Sequence, residues 1–266
     1  MYTVGIHLEH KLRELLAVWP QGVPATTKWL ESMDISRTLA HKYKASGWLV
    51  SAGHGAYLKA SDTLEWFGAL HALQSQLFLS IHIGGKTALE LQGHAHFVTM
   101  SCPTIDLLLT SDKKVPKWFN QHKWNEDIRI IRNQLLPASV GLKETMIGNI
   151  VLNISTRERA ALELLYLAPK IYDYDEVRIL IESLGTLQPE LLTKLLNLCS
   201  SEKVKRLLLY FGEKQGHSWR KYIDKEKILN SSYTLNIINK GGYYDSKYNV
   251  FIPREYVIKN EQDIKF

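Results

Sequence analysis

The sequence predicts an α+β fold, and three stretches carry that prediction. Residues 26–59, TTKWLESMDISRTLAHKYKASGWLVSAGHGAYLK, read as helix, tight turn, helix and hairpin. From Gly93 to Asn153, β-branched or alternating apolar runs are punctuated by Pro103, Pro116 and Pro137, the pattern of strands and loops. Beyond Asn153 helical periodicity takes over, until Trp219–Pro253 turns strand-like again. The expected architecture is a winged helix-turn-helix over residues 1–76, followed by a mixed strand-and-helix C-terminal domain over residues 77–266. That second domain is expected to be strand-rich over 77–153 and mainly helical over 154–216, with short strands over 219–253.

In chain order, Ile6–Val18 is a first helix with Leu8, Leu12, Leu15 and Leu16 on one stripe, ending before Trp19-Pro20. Gly22-Val23-Pro24 loops into the helix pair. Thr26 and Thr27 suit the N-cap of a short helix bearing Trp29, Leu30 and Met33. Asp34-Ile35-Ser36 is only long enough for a turn, and the Ser36 hydroxyl can cap the next helix. That helix sets Leu39, Ala40 and Tyr43 on its apolar side and Arg37, Thr38, His41, Lys42 and Lys44 largely on the other. Gly47 stops it. Trp48-Leu49-Val50 and Ala56-Tyr57-Leu58 then flank a hairpin tip at Gly53-His54-Gly55.

A helix pair followed by a small hairpin is the plan of a DNA reader whose second helix enters the major groove. Arg37 suits a guanine edge, Thr38 and His41 offer short polar contacts, and Lys42, Lys44 and Lys59 suit phosphates. The expected DNA contacts are Thr27, Lys28, Ser36, Arg37, Thr38, His41, Lys42, Lys44, His54 and Lys59. The competing reading is a small helical domain with an ordinary solvated face.

Charge is distributed to suit the first reading. Residues 1–60 hold seven Lys/Arg against four Asp/Glu, and residues 201–266 hold 13 against eight, whereas the middle is slightly acidic. A basic head on a less basic body fits nucleic acid, although a net +6 also suits many enzymes. At 266 residues, two or three modules are expected. No apolar run nears 20 residues and no N-terminal signal pattern is present, so a cytoplasmic protein without membrane contact is expected. Cys102 and Cys199 have no CxxC partner and are expected to be reduced, buried thiols.

Several motifs invite chemistry and fail on spacing. Gly85-Lys86-Thr87 mimics the end of a P-loop, but the glycine required five residues earlier is Ser80, and Ile81-His82-Ile83 alternates like a strand. His7-x-x-His10 and His94-x-His96 each lack completing ligands for a metal. Lys117-Trp118-Phe119 with Lys123-Trp124 either stacks single-stranded nucleic acid or packs its rings and solvates its lysines. No catalytic residues, metal or cofactor are expected.

In the body, Ser61-Asp62 is expected to cap a helix through Trp66, Leu70 and Leu73. Strands are expected at Ala95–Met100, Ile105–Thr110, Ile128–Leu135 and Ile147–Asn153. Ser155-Thr156-Arg157-Glu158 has capping-box spacing for a helix running to Pro169. Helices follow at Asp175–Ser183 and Pro189–Cys199, the latter expected to be central, and a fourth opens at Ser200-Ser201-Glu202. Short strands are expected at Tyr233–Ile238 and Tyr248–Ile252.

The helix-turn-helix segment, HIGGKTALELQG (His82–Gly93), NISTRERAALELL (Asn153–Leu165) and GGYYDSKYNVFIP (Gly241–Pro253) occur in this order. Together they resemble the AbiEi-type antitoxins, transcriptional regulators of type IV toxin–antitoxin and abortive-infection systems. The resemblance implies a winged helix-turn-helix that binds double-stranded DNA at inverted repeats in its own promoter and represses its operon. It further implies a C-terminal domain opposing a nucleotidyltransferase toxin without a stable complex, and no enzymatic activity. Two alternatives stand beside it: a metal-dependent nuclease, and an antitoxin acting by direct protein–protein binding.

Overall fold

The computed structural model describes residues 2–94, 104–229, 234–236 and 242–253. The expected strand Ala95–Met100, His96, Cys102 and parts of Tyr233–Ile238 lie outside them, as does the side chain of His7. The chain is α+β. Its described residues fall into two compact units, one within Met1–His82, Cys102–Arg132 and Glu144–Asn153, the other within Ile83–Ser101, Asn133–Lys143 and Ile154–Phe266.

In the first unit, α1 (Tyr2–Val18) buries Leu12 and Leu15. Trp19 closes it, its indole Nε1 donating to the Val23 carbonyl at 2.6 Å. Then come β1 (Ala25–Thr26), α2 (Thr27–Ser32), α3 (Arg37–Ala45), β2 (Leu49–Gly53) and β3 (Ala56–Lys59). The strands form an antiparallel sheet ordered β1-β3-β2, with Ala25 opposite Tyr57 and Leu49 opposite Lys59. Leu12, Leu15, Trp19, Leu30, Ile35, Ala40, Tyr43 and Leu49 make one apolar cluster that fixes both helices to this sheet.

Helix α4 (Trp66–Ser75) begins later than the sequence suggests, and Asp62 does not cap it. The Asp62 carboxylate instead accepts from the Gly22 amide at 2.8 Å and pairs with Lys59 at 3.6 Å. The N-cap position directly precedes the first helical residue and is held by Glu65, so Asp62 lies too far upstream to cap the helix. The same unit holds most of a five-stranded sheet ordered β6-β5-β4-β8-β7. Its strands are β4 (Ile81–Ile83), β5 (Thr104–Leu109), β6 (Asp127–Arg132), β7 (Leu142–Ile147) and β8 (Ile150–Ser155). Strands β5 and β6 are parallel, with Ile105 opposite Ile128 and Leu109 opposite Arg132. Leu107, Leu108 and Leu109 are all buried, as a central strand covered on both faces requires. Strand β6 stops at Arg132 rather than Leu135, because the Asn133 side chain turns back to accept from the Leu135 amide. The chain also makes two strands around Gly148 where the sequence suggested one.

In the second unit, α5 (Gly85–Glu90) packs on α7 (Arg157–Leu167), with α8 (Tyr174–Glu182), α9 (Pro189–Leu198) and α10 (Glu202–Lys214) around them. The central helix is α7, not the leucine-rich α9. Along α7 every residue but Arg157 and Tyr166 is buried, whereas α9 buries chiefly Leu192, Leu195 and Leu196. The N-cap of α7 is Thr156, so Glu158 falls outside the capping-box position and accepts from the Gln188 amide at 2.8 Å. Trp219 opens no strand: it sits in a 3-10 turn, Ser218–Tyr222, with its indole donating to the Leu184 carbonyl. After α11 (Lys225–Ile228), short strands β9 (Leu235–Asn236), β10 (Tyr243–Asp245) and β11 (Val250–Ile252) form a sheet ordered β10-β11-β9. Cys199 is a free, buried thiol whose pKa burial pushes up.

Candidate nucleic-acid interface

The helix pair is set by local chemistry. Thr26 is the N-cap of α2, its hydroxyl accepting from the Trp29 amide at 3.2 Å. Asp34 takes φ +58°, a left-handed conformation that Asp tolerates better than most residues, and this reverses the chain within three residues. Ile35 plugs into the core at the corner, and the Ser36 hydroxyl caps α3 by accepting from the Leu39 amide at 3.2 Å. Ala40 and Tyr43 face inward, while Arg37, Thr38, His41, Lys42 and Lys44 are exposed.

These outward residues do not all meet. Thr27, Lys28, Arg37, His41, Lys44 and His54 line one cleft of about 630 Å³, whose remaining wall includes the hairpin residues Ser51, Gly53, Gly55 and Tyr57. The His41 ring meets Tyr57 edge to face at 6.3 Å. Thr38 and Lys42 are exposed on α3 outside the cleft lining, and Ser36 gives its hydroxyl to the cap. Lys59 does not join them: its side chain is only 17% exposed and its ammonium donates to the Trp19 carbonyl at 3.0 Å, beside Asp62. Arg37 pairs with Glu31 at 2.9 Å, but both side chains are exposed, so the pair is worth at most about 1 kcal/mol and exchanges readily for a stronger anion.

Sequence reasoning missed the far wall of this cleft, made by Leu77, Pro116 and Trp118. Pro116 and Trp118 belong to a segment well beyond the hairpin in the chain, at the start of α6 (Lys117–Asn120). Trp118 and Phe119 are buried and Trp124 is half-buried, whereas Lys117 and Lys123 are exposed. A Cβ on Gly53, at φ +124°, would lie 2.7 Å from the Trp118 Cβ, so glycine alone lets the hairpin and α6 meet this closely. Phe78, 69% exposed at φ +52°, stands beside Lys28, whose ammonium lies 5.4 Å from the ring centroid.

The P-loop mimic holds no free anion site. The Gly85 amide donates to a Glu163 carboxylate oxygen at 3.1 Å, and Lys86 pairs with Glu176 at 2.6 Å and Glu90 at 3.8 Å. Of the histidine pairs, His10 pairs with Glu14 and His94 contacts the Ser183 hydroxyl. Among the described residues no group of three or more His, Cys, Asp and Glu could hold a metal ion, and no helix is long and apolar enough to cross a membrane.

A family model described as a transcriptional regulator, the AbiEi antitoxin of a type IV toxin–antitoxin system, matches residues 103–253, and one for the N-terminal domain of that antitoxin matches residues 8–100. The chain belongs to the AbiEi antitoxin family. AbiEi proteins are transcriptional regulators and antitoxins. Among solved structures, the RV2827C protein from Mycobacterium tuberculosis is similar, with a TM-score of 0.54 at 12% identity over 92% of this chain and 90% of that one. At that identity the likeness is one of fold. No curated protein matches the chain.

Proposed function

We propose that this AbiEi protein is a sequence-specific transcriptional repressor, with α2, α3 and the β2–β3 hairpin acting as a winged helix-turn-helix. Helix α3 enters the major groove, and the hairpin lies on the neighbouring backbone. One observation carries this reading: Thr27, Lys28, Arg37, His41, Lys44 and His54, from two helices and a hairpin tip, line one cleft. Arg37 reads a base edge, with Thr38 and Lys42 beside it on α3, while Lys28, Lys44 and His54 hold phosphate. We assign DNA reading to residues 1–76 and the antitoxin role to residues 77–266. The protein acts in the cytoplasm at inverted repeats in its own promoter. It opposes a nucleotidyltransferase toxin without forming a stable complex and without catalysis of its own.

A gel shift on the DNA upstream of its own gene, beside an unrelated fragment and at two salt concentrations, tests the repressor. Preference for the upstream DNA that survives higher salt is the expected result. Arg37→Ala weakens that specific binding by about 1–3 kcal/mol, the usual cost of a lost bidentate base contact. Unchanged affinity and salt dependence in an Arg37→Ala/Lys42→Ala double variant would remove this face from the DNA.

A further inference from the structure

The segment 112–123, SDKKVPKWFNQHK from Ser111 onward, lies outside the helix-turn-helix, yet its middle builds one wall of the cleft. Pro116 and Trp118 line that wall, and Lys117 stands between them. Trp118 fixes the placement, because its Cβ and Cα sit against Gly53 at a distance no side chain would fit. The preceding loop is also held: the Arg132 guanidinium donates to the Ser111 carbonyl at 2.8 Å and to the Lys113 carbonyl at 3.0 Å. On this segment Lys113, Lys114, Lys117 and Lys123 are all exposed. Among the described residues none of the four forms an ion pair, whereas Lys59, Lys86 and Lys205 are paired internally. Asp112 is the one carboxylate between residues 112 and 123.

We propose that this lysine-bearing segment is a second DNA-contacting surface, which holds the phosphate backbone of the duplex on the flank of the hairpin. It rests on the reading of the cleft as a DNA site. Four ammonium groups without carboxylate partners, on a backbone pinned by Arg132 and Trp118, neutralise phosphates at little ordering cost. They carry no base specificity, since a phosphate contact positions the protein without reading sequence. The segment thus lengthens the footprint beyond what α3 and the hairpin span.

The test compares the full chain with a Lys114→Ala/Lys117→Ala/Lys123→Ala variant by fluorescence anisotropy, on upstream and unrelated duplexes across a sodium chloride series. For each lysine that holds a phosphate, the slope of log affinity against log salt becomes shallower by about 0.9. The loss is expected on both duplexes, so the ratio between them stays the same. The matching triple Lys→Arg variant keeps the full slope, which separates charge from folding. An unchanged slope in an alanine variant that melts like the parent overturns this proposal and leaves the repressor reading intact. A parent that binds neither duplex overturns both.

Discussion

Two regions of this molecule hold the same kinds of charged side chain to opposite effect. In the cleft of the first unit, Lys28, Lys44 and His54 sit at the surface, and Arg37 is engaged only by an exposed Glu31. In the second unit, Arg159 and Glu163 are fully buried and pair at 2.7 Å. Glu163 also accepts from the Ser155 hydroxyl at 2.7 Å and the Gly85 amide, and Arg159 donates to the Pro137 and Val140 carbonyls. The buried set knits α5, α7 and the loop before β7 together. A cation is available to a partner only where the fold engages it by nothing stronger than a solvent-exposed pair, as at Arg37, and not where the pair is half-buried, as at Lys86. That rule separates Arg37 from Lys86 although both stand in motifs that look like anion sites.

Breaking the buried pair should have the largest effect. Glu163→Ala leaves the Arg159 guanidinium in the core without its carboxylate, and should cost about 3–5 kcal/mol in urea unfolding. A loss below 1 kcal/mol would mean that water reaches this pair. Gly53→Ala probes the other region, forcing a side chain against Trp118 at a left-handed φ. It should cost about 1–3 kcal/mol and weaken DNA binding by displacing the hairpin from α6. Unaltered melting and DNA affinity would show that the two elements separate freely. Ser36→Ala removes one capping acceptor at the start of α3, and should cost about 1 kcal/mol without moving the exposed face of the helix. Circular dichroism melts read the cost, and a DNA titration reads the face.

The smallest effect is one of pH. Burial holds the His217 pKa below its ordinary value against the opposing pull of Glu182, and its Nδ1 is buried without a hydrogen-bond partner. The unfolded chain takes up this proton more readily than the folded one. Above the ordinary histidine pKa of about 6.5 both states are neutral and stability is intact; as pH falls through that value and towards the folded pKa, stability is lost. A His217→Phe variant should therefore lose less stability between about pH 7.5 and pH 5.5 than the parent does. Parallel curves for the two proteins would show that the ring takes up its proton in the fold at no cost.

The legible parts of the sequence were those whose partners lie close along the chain. Thr26, Ser36 and Ser201 cap helices from within three residues of the amides they accept from. The exposed face of α3 followed from helical spacing, as did the buried Ala40 and Tyr43. Three of the failures involve distant claims on a side chain. Asp62 went to Gly22, Glu158 to Gln188, and the Lys59 ammonium to the Trp19 carbonyl. In each case the side chain meets a residue 30 to 40 positions away rather than the partner expected of it.

By itself the sequence determined the α+β class, the helix pair with its caps, the absence of a complete P-loop and membership of a family. Each follows from short-range periodicity, from spacing, or from motifs in a set order. Only the tertiary structure decided which cations remain available, because that depends on carboxylates and carbonyls brought in from elsewhere in the chain. It also decided that Trp118 would meet Gly53, a contact that no local pattern encodes. The absence of a side chain at one residue and the bulk of another, 65 positions later, together shape the cleft.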